Sequence, residues 1–184
     1  MTWTYAKCRR TSSSVLDILA AHLNDFAISV TDADRILYRE HGLALLEVDH
    51  LATGNEAYSG ARIKPLRIHN RYWSDLNTSP LSDPRVRHMS AADIVSRQLE
   101  DIWKKVSSPG DNLALAVPPY MSNDNLGLLL GIAMELEIDV VAMVDSAVCA
   151  TRRHYQRAVP VHIDLSLHTA TVTRLLQEGQ AQVE

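Results

Sequence analysis

His162, Asp164 and His168 lie close together near the C-terminal end of the sequence, and in an extended strand running straight their side chains would share one face. Two imidazoles and a carboxylate on one face could hold a metal ion. The sequence offers no second ligand cluster at matching spacing, so structural histidines are the competing and preferred reading. Cys149 follows an apolar run ending at Asp145; a thiol there is either a nucleophile or, as is ordinary, a buried inert side chain. Arg62, Lys64, Arg67 and Arg71 precede Tyr72 and Trp73, a mixture that pairs phosphates and stacks on bases, or that makes a solvated loop with an aromatic anchor. The seven glycines never gather into a phosphate-cradling loop. The signatures of P-loop NTPases, dinucleotide-binding folds, serine hydrolases with a nucleophile elbow and helical zinc proteases are all missing.

Composition narrows the classes further. The chain has 184 residues, 46% hydrophobic, with 18 Lys plus Arg against 22 Asp plus Glu and a formal net charge of −4. That length supports a sizeable core in one globular domain without disulfides or structural metal. A mildly acidic balance argues against an overall positive field, so no nucleic-acid partner is expected. The longest apolar run, Leu126 to Met134, is far shorter than the roughly 20 residues of a bilayer span, so no membrane partner is expected either. The opening MTWTYAKCRR has no signal-peptide core, and Cys8 and Cys149 suit free thiols, which makes the expected compartment cytoplasmic.

The elements that must position these residues follow from periodicity and punctuation. Thr11 to Asn24 carries Leu16, Leu19, Ala20 and Leu23 at helical spacing after a Thr-Ser-Ser-Ser cap and reads as an amphipathic helix. Phe26–Val30, Ile36–Tyr38 and Leu43–Val48 read as an antiparallel meander, and 51–89, with three prolines, as irregular chain holding short helices or strand fragments. Ser90 with Asp93 begins a helix whose Val95, Leu99, Ile102 and Val106 repeat on one face. Leu113–Val117 is a buried strand, and Ser122 caps a helix to about Glu137, in which Gly127 and Gly131 would allow close approach to a sheet. Val140–Val144 is a strand, Ser146–Tyr155 a short helix, and Val159–Leu165 and Thr169–Leu176 are paired strands before a turn at Glu178-Gly179. The resulting fold class is α/β, with a mixed sheet flanked by helices.

From Phe26 to the end, this order of pieces resembles the first lobe of the actin-like ATPase superfamily, which includes actin, MreB filament proteins, DnaK-type chaperones and sugar kinases and has a ribonuclease H-like fold. FAISVTDADRILYREHG stands where the family has its first phosphate hairpin, D-x-G-T. Glu47 and Gly54-Asn55-Glu56-Ala57 occupy the places of the n-E-P-S and G-x-E-A segments. AVPPYMSNDNLGLLLGIAMELEIDVVAMVDSAVCA resembles the strand ending in V-P, the helix, and the strand leading to N-E-P-T-A-A-A. VHIDLSLHTATVT stands at the second phosphate loop, D-x-G-G-G-T.

The resemblance implies a domain over 26–184, incomplete at its C-terminal end, after an N-terminal extension over 1–25. It also implies phosphate-facing positions at Asp32, Ser166, His168 and Thr169, Asp145 where a glutamate orients the attacking water, and Asp164 on water of Mg²⁺. The sequence departs from the pattern at these places. The first loop's Asp, Gly and Thr fall on Ser29, Thr31 and Asp32, and the three glycines of the second become Ser166, Leu167 and His168. Side chains block the close backbone approach that glycine allows, and Asp32 adds negative charge beside a polyanion. The expectation is a degenerate nucleotide-binding lobe without a required cofactor, acting through a protein partner or through self-association. An exposed Leu167 and a free strand edge after Leu176 would mediate that association. The alternative is the N-terminal part of an active Mg-ATPase completed by a second lobe.

Overall fold

The computed structural model describes residues 18–151, 159–178 and 180–183. Three strands open it: β1 (Ile18–His22), β2 (Ala27–Thr31) and β3 (Ile36–His41). They join β7 (Asn112–Val117) and β8 (Val140–Asp145) in a five-stranded sheet of order β3-β2-β1-β7-β8. β1 is antiparallel to β2 and parallel to β7, so it occupies the centre of a mixed sheet.

This corrects the helix expected over Thr11–Asn24, whose first part lies outside the described residues. Leu19, Ala21 and Leu23 alternate inward, a period of two that places each of them in the core. Central pairing on both sides satisfies the β1 backbone and overrides the helical spacing of its leucines.

One face of the sheet carries the core. Leu19, Ile28, Val30, Leu113 and Leu115 pack with Ile94, Val95, Leu99 and Ile102 of α2 (Ala91–Val106) and with Leu129, Ile132 and Ala133 of α3 (Asn123–Glu135). Both helices start where the sequence indicates, each with a capping box, Ser90 with Asp93 and Ser122 with Asn125. α3 stops in a Schellman arrangement in which Ile138 N donates to Ala133 O and Glu137 N to Met134 O. Glu137 takes the left-handed position, φ 56°, that glycine usually fills. The expected close approach at Gly127 and Gly131 is not found: a Cβ at either would meet nothing within 4 Å, because both lie on the exposed side of α3.

The stretch over 43–89 builds a smaller unit. β4 (Ala44–Leu46) leaves the expected meander and pairs instead with β5 (Leu51–Thr53) and β6 (Ile68–His69) in a separate three-stranded sheet. α1 (Gly54–Ala61) and two short 3₁₀ turns complete it, in keeping with the fragments expected there. A buried polar knot joins it to α2. The Gln98 amide donates to the Glu40 carboxylate at 2.6 Å and to His41 O at 2.9 Å. Its carbonyl accepts from Tyr72 Oη at 2.6 Å and Trp73 Nε1 at 2.8 Å. Tyr72 and Trp73 are therefore core residues, and this removes the stacking half of the nucleic-acid reading.

After β8 come α4 (Ser146–Ala150) and a third sheet of order β11-β10-β9, with β9 (Val161–Leu165), β10 (Ala170–Glu178) and β11 (Gln180–Val183). The rest of the helix expected to Tyr155, and Gly179 of the expected turn, lie outside the described residues. β11 pairs along β10 from Leu175 to Glu178, so the edge of β10 expected to be free after Leu176 is covered, and the outer strands of this sheet are β9 and β11.

Candidate functional site

Two tight turns from different sheets meet. The first, Leu23–Phe26, joins β1 to β2. Asn24 Oδ1 accepts from Phe26 N at 2.8 Å, and Phe26 O accepts from Gly42 N at 3.1 Å. A Cβ on Gly42 would fall 2.0 Å from Asp25 O, so only glycine lets the chain after β3 press on this turn. The second turn, Ser166–Thr169, joins β9 to β10. It is closed by Ser166 N donating to Thr169 O at 3.0 Å and by Thr169 N donating to Ser166 Oγ at 3.2 Å.

Asp25 connects them. Its side chain is fully buried. Oδ1 accepts the backbone N–H of Leu167 at 2.7 Å, and Oδ2 lies 2.9 Å from His168 Nδ1. A carboxylate thus already holds an amide that the second turn could offer to an anion.

Further polar groups line the same region. Tyr120, three residues beyond β7, has a buried hydroxyl without a hydrogen-bond partner; burial raises its pKa, and the charges of Asp25, Asp164 and Asp75 raise it further. Asp164 Oδ2 is also buried and unpartnered. His22, at the end of β1, is made harder to protonate by burial, opposed by Asp164 and reinforced by His162 and Arg39. His69 shifts the same way, by burial first, with Asp75 opposing and Arg71 and His168 reinforcing. Asp145 caps α4, its Oδ1 accepting Ala147 N at 2.7 Å, and Ser146 Oγ beside it is buried without a partner.

The structure therefore brings Ser166, His168 and Thr169 into one turn, with Asp164 just before it. It leaves Asp32 elsewhere, in the β2–β3 turn, where its Oδ1 accepts Asp34 N and Arg35 N. Asp32 follows the far end of β2, a five-residue strand on the order of 15 Å long. Ser29 and Thr31 lie within β2. Glu47 is a surface group paired with Lys64 and Arg67, which hold its carboxyl below the usual range, Lys64 first. Cys149 is exposed rather than buried, and partial burial of its thiol followed by the Asp145 charge raises its pKa, which disfavours a nucleophilic thiolate. Among the described residues no three His, Cys, Asp or Glu side chains gather as metal ligands, and His168 is turned to Asp25. Among the described residues no helix is long and apolar enough to cross a membrane. Asp25, His22 and Tyr120 were not marked by the sequence reading; an Asn-Asp pair between two apolar runs is the turn signal that points to Asp25.

No family model and no curated protein sequence matches the chain. Among solved structures it is similar to MreB5 of Spiroplasma citri bound to ADP, with a TM-score of 0.64 and 15% identity over 85% of this chain. The fold is shared with MreB5. The match covers 47% of the MreB5 chain, so this chain spans about half of that protein's length. A non-polymerising mutant of MamK bound to AMPPNP also matches, at TM-score 0.47 and 17% identity, over 68% of this chain and 40% of that one. Of the two meeting turns, the second, Ser166–Thr169, is the one the resemblance expects to hold phosphates; the first, Leu23–Phe26, is not, because that expectation falls on the β2–β3 turn with Asp32. The residues here do not fit that group. Leu167 N already donates to Asp25, Leu167 and His168 carry side chains where the resemblance expects glycines, and a carboxylate occupies the junction.

Proposed function

We propose that this chain is a degenerate actin-like nucleotide-binding lobe that binds Mg-ATP weakly or not at all and acts through contacts with proteins, copies of itself included. The Asp25 tie carries the reading. Backbone amides bind phosphate when they are free and the local field is positive. Here one such amide is satisfied by an internal carboxylate, and that charge repels a polyanion. In this reading Asp145 and Asp164 are remnants of a catalytic pair, Asp164 a remnant of the position that holds Mg²⁺ through water, and Ser166, His168 and Thr169 remnants of the phosphate turn. Asp145 serves as a helix cap and the turn as a structural clasp.

A second reading, the N-terminal part of an active Mg-ATPase completed by a second lobe, is favoured by one observation. Asp164 Oδ2 is buried without a partner, a state that costs free energy unless another group answers it. Calorimetric titration with Mg-ATP and a phosphate-release assay separate the two. The first reading expects no saturable binding below millimolar nucleotide, little rise in melting temperature, and release no faster than from an Asp164→Ala variant. Micromolar binding, or turnover lost in Asp164→Ala, would replace it with the second.

A further inference from the structure

β9 ends its sheet, and its outer edge faces no strand among the described residues. The ladder to β10 fixes which groups that edge presents. Leu175 N donates to Pro160 O and Ser166 N to Thr169 O, each at 3.0 Å, and the register runs Ala170 opposite Leu165 to Arg174 opposite Val161. Hydrogen-bonded pairs alternate in an antiparallel ladder, so residues 160, 162, 164 and 166 spend their backbone groups on β10. The N–H and C=O of Val161, Ile163 and Leu165 therefore point outward. Their side chains are bare as well, at 55%, 62% and 71% exposure, and Val172, opposite Ile163 on β10, is 70% exposed. His162 and Asp164 lie on the other, half-buried face.

The sequence of this strand is complementary to itself. In an antiparallel pairing of two copies centred on Ile163, Val161 of one faces Leu165 of the other and Ile163 faces Ile163. On the opposite face His162 meets Asp164 twice. A two-fold axis at any residue pairs outward positions with outward positions, and Ile163 is the centre that engages the whole strand, giving about six main-chain hydrogen bonds. Apolar cross-strand pairs add to such a ladder.

The geometry points to a two-fold dimer in which β9 pairs with β9 of a second copy about Ile163. This rests on the proposal that the chain acts through protein contacts and names the surface and the partner. An edge pairing of five-residue strands falls well below the ~1,200 Å² of a standard interface, so the dimer is weak, on the order of micromolar or weaker.

Sedimentation equilibrium on the full chain over a wide concentration range tests it. The wild type should dimerise reversibly. Ile163→Lys places like charges across the axis and should weaken the dimer at least tenfold, as should Ile163→Glu, while circular dichroism and melting stay close to wild type because the side chain is outward. An equimolar mixture of the Lys and Glu variants should associate more tightly than either alone, since only a contact at the axis juxtaposes them. A monomeric wild type, an undiminished Ile163→Lys dimer, or a mixture no tighter than its parts would overturn the dimer. None of these outcomes bears on nucleotide binding, so the failure of this inference and of the degenerate-lobe reading remain separable.

Discussion

Replacing Asp25 with Asn changes one oxygen to an amide nitrogen at the point where the two turns meet. The carboxylate is fully buried and engages both Leu167 N and His168 Nδ1. Hydrogen bonds to a charged group contribute about 1.5–3 kcal/mol, roughly twice a neutral one, and Asn retains a neutral acceptor for Leu167. The expected loss is therefore about 1–2 kcal/mol, or roughly 2–8 °C in melting temperature for a chain of this length. Nucleotide binding should move the other way. A unit charge about 5 Å from a phosphate oxygen repels it by roughly 3 kcal/mol at an effective dielectric constant of 20, and the substitution removes that repulsion. Even half of this effect tightens Mg-ATP binding about tenfold. Chemical denaturation and calorimetric titration on wild type and Asp25→Asn together are the assay. A variant that loses stability yet binds Mg-ATP no better than wild type would refute the claim that this carboxylate blocks the phosphate site.

Gln98→Leu should destabilise the fold by about 3–5 kcal/mol in urea melts, because the nearly buried Glu40 carboxylate, Tyr72 Oη and Trp73 Nε1 lose their shared partner together. Gly42→Ala should cost at least about 3 kcal/mol, since its Cβ would sit 2.0 Å from Asp25 O, whereas Gly127→Ala should stabilise α3 by up to about 1 kcal/mol in its open surroundings. His22 and His69 both have pKa values lowered in the folded state, chiefly by burial. The unfolded chain then binds more protons between the ordinary value near 6.5 and the folded values, so stability falls as pH drops through that window and is flat above it. The double substitution His22→Gln, His69→Gln should flatten the acid side of a melting-temperature-against-pH curve.

The helices α2 and α3 were legible because both local signals agree: a reciprocal cap at the start and apolar residues at three- and four-residue spacing. The strands β7, β8, β9 and β10 were legible for a similar reason, as continuous or alternating apolar runs between breakers. β4 was legible as a strand but its pairing was not, because nothing local to Leu43–Val48 says which of several strands it pairs with; the partners β5 and β6 come from the irregular stretch that follows. The openness around Gly127 and Gly131 also escaped, since a missing side chain is equally suited to close approach and to empty space.

The misreading of β1 had the largest consequence for the site. The run from Ile18 to Leu23 fits a helix by Leu19 and Leu23, four apart, and a strand by Leu19, Ala21 and Leu23, and its two alanines favour the helix by intrinsic propensity. Pairing with β2 on one side and with β7 on the other decides it, and β7 is non-local. Reading a helix there moves the first hairpin one strand downstream, from Leu23–Phe26 to the β2–β3 turn, and carries attention from Asp25 to Asp32. Both turns hold an aspartate, so sequence chemistry alone does not separate them. What separates them is burial: Asp32 accepts from its own turn near solvent, while Asp25 is enclosed and answers a residue 142 positions away. A buried carboxylate held by a distant backbone amide costs desolvation unless that geometry is fixed, and the Gly42 contact fixes it. In the degenerate-lobe reading proposed above, the two turns act together: the second carries Leu167 and His168 where the resemblance expects glycines, and Asp25 of the first satisfies the amide that a phosphate would otherwise take.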